Sequence, residues 1–255
     1  MELRERALEA LCHDTWQEKA DCLGALSQNT TLATASIFTA PSGIPGRPPI
    51  KLVPPAQLGL RSVHTLEGRA VLIHALAHIE FNAINLALDV IWRFANMPDK
   101  FYYDWLRVAQ EECEHFGLLN QHLQTLGFQY GDFSGHDGLW EMAERTQDDV
   151  LARLALVPRT LEARGLDASP AVRHKLASGG DPAGAAIIDI ILRDEIGHVA
   201  IGNHWYRWLC TERGLDPIKT YTELAATYRA PKLKGPFNIE ARLAAGFDPA
   251  EIALL

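Results

Sequence analysis

Two Glu-x-x-His pairs are the strongest chemical signal in the sequence. Glu112 precedes His115 by three residues, and Glu195 precedes His198 by three residues. Residues three apart on an α-helix lie on the same side of it, so each pair can direct a carboxylate and an imidazole toward one point. Both groups are ligands of divalent transition metals. Each pair therefore predicts part of a metal site.

Two further glutamates stand at matching intervals from these pairs. Glu80 precedes Glu112 by 32 residues, and Glu162 precedes Glu195 by 33 residues. Each interval joins the core-facing part of one long predicted helix to that of the next, which in two antiparallel hairpins places the four acids at one level. All four lie in apolar stripes of helical period, where a carboxylate without a cation is costly.

A pair of divalent metal ions meets this need for positive charge. The inward stripes carry no Lys or Arg beside the acids, and a total charge of about +4 matches four carboxylates and two imidazoles. One glutamate from each of two helices, with Glu-x-x-His from each of the other two, is the ligand pattern of di-iron and di-manganese carboxylate proteins. The predicted metal ligands are Glu80, Glu112, His115, Glu162, Glu195 and His198.

Two other histidines lie on the same predicted helix as Glu80. They are His74 and His78, and His78 points about 160° away from Glu80. A single inward histidine is more often a hydrogen-bonded core residue than a ligand. We therefore interpret both as core residues.

Helices must position the predicted ligands, because no strand pattern of alternating residues occurs. Gly165 is expected to end the third long helix, and Ser169-Pro170 is expected to begin a short helix after it. Pro158 is expected to bend the third helix near the site. The fold class is all-α, a four-helix bundle with a long crossover. Its long helices are expected over residues 65–96, 99–126, 148–164 and 182–213.

Segments on both sides extend the bundle. An N-terminal helix over residues 1–26 and a proline-rich strap over 39–59 are expected to pack on it as part of residues 1–60. The di-metal bundle itself occupies residues 61–215. A C-terminal helix and an irregular surface tail fill residues 216–255, and the whole forms one compact domain.

Composition restricts the class of protein. A net charge of -8 argues against a surface that binds nucleic acid mainly by neutralising phosphates. The four cysteines form no CxxC pair and are too few for a disulfide framework. The first residues lack the apolar core of a secretory signal, and no unbroken run of about 18 apolar residues occurs. A soluble cytoplasmic protein without a membrane partner is expected.

The metal motif, together with the ending "APKLKGPFNIEARLAAGF", resembles the ferritin-like superfamily and more narrowly the bacterial family of domain of unknown function 455. This resemblance implies a ferritin-like bundle with two metal ions. It further implies that Glu112 and Glu195 bridge the metals, that Glu80 and Glu162 are terminal ligands, and that His115 and His198 each bind one ion.

In related oxygenases with Asp-Glu-x-x-His motifs, the acid before the motif orients the histidine of the opposite motif. The resemblance thus implies that Asp194 orients His115 and that Glu111 orients His198. Residue 111 departs from the pattern, since it is Glu where the motif has Asp.

Carboxylate-rich ligation suits iron, and manganese accepts the same ligand set. The leading hypothesis is a di-iron oxidase or monooxygenase that uses O2, a small-molecule substrate and an electron donor. The tRNA-modifying hydroxylases also resemble this bundle, and an RNA substrate stays open because the tail carries a basic cluster. Two different hypotheses are an iron-storage or detoxification protein and a non-enzymatic, metal-stabilised scaffold. The basic cluster comprises Arg229, Lys232, Lys234 and Arg242.

Overall fold

A computed structural model describes residues 2–59 and 61–255 of the chain. Within these ranges the regular structure is helical apart from one isolated β-bridge, between Leu52 and Gly135, which confirms the predicted all-α class. The chain divides into two compact units, Met1–Trp140 and Glu141–Leu255. Residues 1 and 60, the ends of the predicted N-terminal segment, lie outside the described residues.

The first unit begins with two short helices, α1 (Leu3–Cys12) and α2 (Trp16–Gly24), where the sequence predicted one. The break has a local cause, because Thr15 and Glu18 form a capping box at the start of α2. In a capping box both residues satisfy backbone N–H groups that a helix start leaves unpaired. The single predicted helix is therefore wrong at residues 13–15.

Two long helices follow, α3 (Leu66–Arg93) and α4 (Asp99–Thr125), close to their predicted bounds. They pack along each other and form an αα-hairpin. Tyr102 fixes the short connection, since its hydroxyl donates to the Phe94 carbonyl at 2.8 Å. The buried Arg4 side chain completes the end of α3 by donating to the carbonyls of Ile91 and Trp92. A guanidinium at a helix C-terminus also complements the helix dipole.

Helix α3 is long and apolar enough to cross a membrane by length and composition alone. However, 72% of its most apolar window is buried inside the protein. Burial of this kind is typical of the central helix of a soluble domain. We therefore interpret α3 as the core helix of a soluble protein.

The proline-rich strap lies against the first unit. Its backbone pairs with residue 135, since Val53 N donates to the Gly135 carbonyl at 2.9 Å and Gly135 N donates to the Lys51 carbonyl at 3.0 Å. Arg47 forms an ion pair with Asp137 at 2.7 Å. These contacts hold the strap against the segment that follows α4.

Helix α5 (Gly138–Arg145) spans the boundary between the units, and the second unit continues with α6 (Val150–Leu156). A π-helix, Val157–Glu162, then leads into α7 (Ala163–Ser178). The change from α- to π-helix occurs at the predicted position, because Pro158 has no N–H to continue the α-helical ladder. Such π segments are frequent at functional sites.

The predicted helix end at Gly165 is wrong. Gly165 does not adopt a positive φ angle, and α7 continues through Pro170. Pro170 leaves the Leu166 carbonyl without its helical donor. The Asn238 side-chain amide donates to this carbonyl instead, at 3.2 Å. A residue 72 positions away thus allows the helix to tolerate an internal proline, which local sequence could not indicate.

Helix α8 (Pro182–Glu212) is the long partner of α7 in the second unit. Its predicted start is confirmed, since the Asp181 side chain accepts from Gly184 N at 2.8 Å. Its predicted stop is also confirmed, because Gly214 has a φ of 63°.

The C-terminal segment contains α9 (Pro217–Thr227), α10 (Ile239–Ala244) and α11 (Pro249–Ile252). It is more ordered than the predicted surface tail. Ala241, Ala245 and Phe247 are buried in one apolar cluster with residues of α7 and α8. The tail therefore contributes to the core of the second unit.

Gly202 on α8 is required by the ring of Pro158. A Cβ atom at Gly202 would lie 2.6 Å from the Pro158 Cβ, whereas a Cβ at Gly197 on the same helix would meet nothing within 4 Å. We expect Gly202→Ala to lower the free energy of unfolding by about 1–3 kcal/mol through overpacking. Gly197→Ala should leave it unchanged or raise it by up to about 1 kcal/mol. Urea unfolding of both variants measures this, and equal stabilities would contradict the proline contact.

Candidate metal centre

The α3/α4 hairpin brings together three of the predicted ligands. Nδ1 of His115 lies 3.3 Å from Oε2 of Glu80 and 3.4 Å from Oε2 of Glu112. One ligand atom from each of the three residues lies within 4.8 Å of those of the other two. Their exposed fractions are 4% for Glu80, 1% for Glu112 and 1% for His115. Two buried carboxylates and one buried imidazole thus form a cluster that could hold a metal ion.

The electrostatics of this cluster favour a cation. Burial, together with the charge of Glu112, raises the pKa of Glu80 well above its usual value. Burial alone lowers the pKa of His115, but hydrogen bonds and charges of the two carboxylates raise it to about 11. Both shifts reflect excess negative charge in a poorly solvated place. A divalent ion supplies positive charge there more effectively than a proton, because several ligands can bind it at once.

Three aromatic residues form a contact group, and two of them are next to cluster residues in the sequence. Phe81 follows Glu80, Phe116 follows His115, and their ring centroids are 5.4 Å apart. Tyr130 packs edge-on against Phe116 at 5.0 Å and stacks with Phe81 at 5.7 Å. The burial of all three cluster residues limits the access of water, which strengthens the interaction between the carboxylates and a cation.

The second unit carries the other three predicted ligands. His198 is fully buried and Glu195 is 7% exposed. Nδ1 of His198 lies 3.8 Å from Oε1 of Glu195, so the i, i+3 spacing brings this pair together as predicted. Glu162 is the last residue of the π-helix, and one of its carboxylate oxygens is buried. The convergence of all six residues on one pair of metals stays a prediction.

The two acids expected to orient the imidazoles each have an arginine on their own helix. Arg193 donates two hydrogen bonds to Asp194, at 2.8 and 2.9 Å. Nε of Arg107 lies 4.0 Å from Oε1 of Glu111. The roles of Asp194 toward His115 and of Glu111 toward His198 stay predictions.

Comparison with known proteins supplies the family. Residues 8–253 match the family described as "Protein of unknown function (DUF455)". The chain belongs to this family. An "Uncharacterized protein" of Haemophilus influenzae strain Rd is 55% identical over 208 residues, which cover 79% of this chain and 72% of the relative. No solved structure gives a significant match.

In this DUF455 member, His74 and His78 connect α3 to the loop after α4. Nε2 of His74 accepts a hydrogen bond from Gly131 N at 3.0 Å. Nε2 of His78 donates to the His136 carbonyl at 3.0 Å, and its Nδ1 shares a hydrogen bond of 2.7 Å with the Tyr130 hydroxyl. Both rings are buried. These contacts support their interpretation as core histidines.

Asn85 on α3 is a buried polar residue that the sequence analysis did not single out. Its side chain is fully buried, and neither its Oδ1 nor its Nδ2 has a hydrogen-bond partner among the described residues. Such an amide normally costs stability and calls for a functional explanation. The sequence feature that could have indicated this residue is an asparagine within the apolar run "FNAINLALDV".

The protonation of His74 makes stability depend on pH. Burial lowers its pKa from 6.5 to about 4, so between these values the unfolded chain binds a proton that the folded chain does not. Stability therefore falls as pH drops from 6.5 toward 4. We expect the difference in free energy of unfolding between wild type and His74→Gln to narrow over this range by roughly 1–3 kcal/mol. Denaturant unfolding at several pH values measures it.

The exposed His64 provides the control for this experiment. His64→Gln should follow the wild-type pH dependence. A His74→Gln variant whose stability changes with pH in parallel with wild type would contradict a buried neutral imidazole.

Metal retention tests the first-unit cluster. Glu112→Ala removes a carboxylate that lies beside His115, whereas Glu114→Ala removes an exposed one two residues away. We expect Glu112→Ala to lose at least one metal ion per chain, because the remaining ligands bind too weakly, and Glu114→Ala to keep the wild-type content. Elemental analysis after loading with Fe(II) measures this. Equal metal in the two folded variants would show that Glu112 is not a ligand.

Proposed function

We propose that this protein is a di-metal carboxylate oxidoreductase, an O2-dependent oxidase or monooxygenase of the cytoplasm that acts on a small molecule. The observation that carries the proposal is the buried group of Glu80, Glu112 and His115. Stability alone would favour apolar residues at these positions, since buried charges are costly unless they bind a cation. A cation site at the centre of a helix hairpin is the reason we infer for retaining them.

The second unit repeats the same chemistry. Glu195 and His198 reproduce the Glu-x-x-His spacing of Glu112 and His115, and both side chains are buried. Glu162 precedes Glu195 by nearly the interval that separates Glu80 from Glu112. In the proposal these six residues hold two ions, most simply iron, with manganese as the alternative.

Two iron ions held by this ligand set would supply activation of O2 for oxidation of the substrate. The residues of the chain have the supporting roles. The glutamates would provide negative charge that stabilises oxidised metal, and each of the two histidines would bind one ion. In the proposal, the packed rings of Phe81, Phe116 and Tyr130 help to keep water from the metal ions. Asp194 and Glu111 would hold the imidazoles in orientation.

The test uses one ligand from the second unit. Glu195→Ala removes a buried acid of α8, and Glu212→Ala removes an exposed acid at the end of the same helix. Reduced, iron-loaded wild type should consume O2 at an oxygen electrode. We expect Glu195→Ala to lose at least one ion and to consume O2 roughly 10-fold more slowly or worse. Glu212→Ala should match wild type in both respects.

Wild type that binds iron without consuming O2 would contradict the oxidoreductase proposal. Full iron content in Glu195→Ala would contradict the shared site. Particles of the size of a ferritin shell in gel filtration would instead favour iron storage.

A further inference from the structure

A second site lies entirely within the second unit. The C-terminal segment and Arg159 of the π-helix line a cavity of about 440 Å³. This volume falls within the usual range for small-molecule pockets. Most of the lining is apolar or aromatic. Representative lining residues are Ile218, Tyr221, Ala225, Leu233 and Phe247.

Arg159 is the central polar group of this cavity. It is only 3% exposed, although it lines the cavity. Its Nε donates to Oδ1 of Asn203 at 2.6 Å, and its Nη2 donates to Glu251. Its Nη1 is buried and has no hydrogen-bond partner among the described residues. A buried guanidinium nitrogen without an acceptor is unfavourable, so a ligand oxygen would satisfy a donor that the protein leaves open.

Aromatic rings hold the Arg159 guanidinium in position. Its Cζ lies 4.3 Å from the ring centroid of Tyr206 and 5.3 Å from those of Tyr221 and Phe247. These cation–π contacts, together with the hydrogen bonds to Asn203 and Glu251, hold the guanidinium in place. The donor is therefore preorganised, which lowers the entropy cost of binding a ligand.

Positive charge exceeds negative charge around the cavity. Arg159, Arg242 and Lys232 line it together with one acid, Glu251, among the described lining residues. Arg242 is already neutralised by a two-bond ion pair with Asp167, at 2.9 and 2.6 Å, and Arg159 forms an ion pair with Glu251, so the excess positive charge of the lining lies on Lys232. Lys232 is exposed at the cavity. Arg159, which has one nitrogen without a hydrogen-bond partner among the described residues, and the exposed Lys232 thus both border an apolar space.

We propose that this cavity binds an amphipathic carboxylate, with its carboxylate at Arg159 and Lys232 and its apolar body against α9. A carboxylate fits better than a phosphate, because a dianion would require more donors than the open nitrogen of Arg159 and the Lys232 ammonium provide. The apolar lining supplies most of the binding free energy, and the guanidinium supplies selectivity for charge. None of the described lining residues is a predicted metal ligand.

Isothermal titration calorimetry of the full-length protein tests the proposal with octanoate as the probe. Octanoate should bind saturably with about one molecule per chain. Octanamide, which has the same body without the charge, should bind at least about 10-fold more weakly, because it cannot form the charge-assisted hydrogen bond. Equal affinities for the two compounds, no binding of octanoate, or binding of inorganic phosphate instead would each overturn the proposal.

Two matched variant pairs locate the binding. Ala225→Phe fills the cavity, whereas Ala226→Phe adds the same side chain at an exposed position of the same helix. Lys232→Gln removes the lining ammonium, whereas Lys234→Gln removes an exposed one outside the lining residues. We expect Ala225→Phe to weaken octanoate binding about 10-fold or more and Lys232→Gln about 3-fold or more, with both controls unchanged.

These pairs also separate the cavity from the metal centre. A carboxylate that bound a metal ion would keep its affinity in Ala225→Phe. If Ala225→Phe fails to fold by circular dichroism, the Lys232→Gln and Lys234→Gln pair decides the question. Equal affinities in the members of that pair would overturn the assignment.

Discussion

Negative charge buried between the apolar faces of two helices is the constraint on which the proposed chemistry depends. Glu80 and Glu112 lie at the centre of the α3/α4 hairpin, and the His115 imidazole lies 3.3 Å from the first carboxylate and 3.4 Å from the second. The raised pKa values of Glu80 and His115 both follow from this crowding of buried acids. A cation that bound this hairpin would stabilise it, so folding and metal binding would be coupled.

The surrounding structure keeps these groups in place through long-range contacts. Arg4, from the first helix, satisfies the carbonyls at the end of α3. In the second unit the Pro158 ring rests on Gly202, and this contact accompanies the π-helix that ends at Glu162. A π-helix changes the angular position of the residues after it relative to a regular α-helix. The direction of the Glu162 side chain therefore depends on Pro158.

Sequence periodicity predicted the parts of the fold that local chemistry controls. The starts of α3 and α8 follow from Thr65 and Asp181, whose side chains cap those helices. The stop after α8 follows from Gly214, which adopts the positive φ that glycine favours. The pairing of Glu112 with His115 also follows from spacing alone.

Other features depended on contacts between distant residues and escaped prediction. Gly165 resembled a helix end, but α7 continues past it and through Pro170. The Asn238 side chain donates a hydrogen bond to the Leu166 carbonyl, which Pro170 leaves without a donor. Nothing in the local sequence singles out Arg159. Its burial among aromatic rings from α8, α9 and the tail emerges only in three dimensions. The convergence of six ligands on one metal pair, which stays a prediction, likewise depends on tertiary structure rather than on spacing.

Anomalous scattering from crystals of the iron- or manganese-loaded protein tests the central claim most directly. Data collected at the iron and manganese absorption edges would identify each ion and its ligands. The account predicts two anomalous peaks per chain, one of them within bonding distance of Glu80, Glu112 and His115. Well-ordered crystals of loaded protein with no anomalous peak beside these three side chains would contradict it.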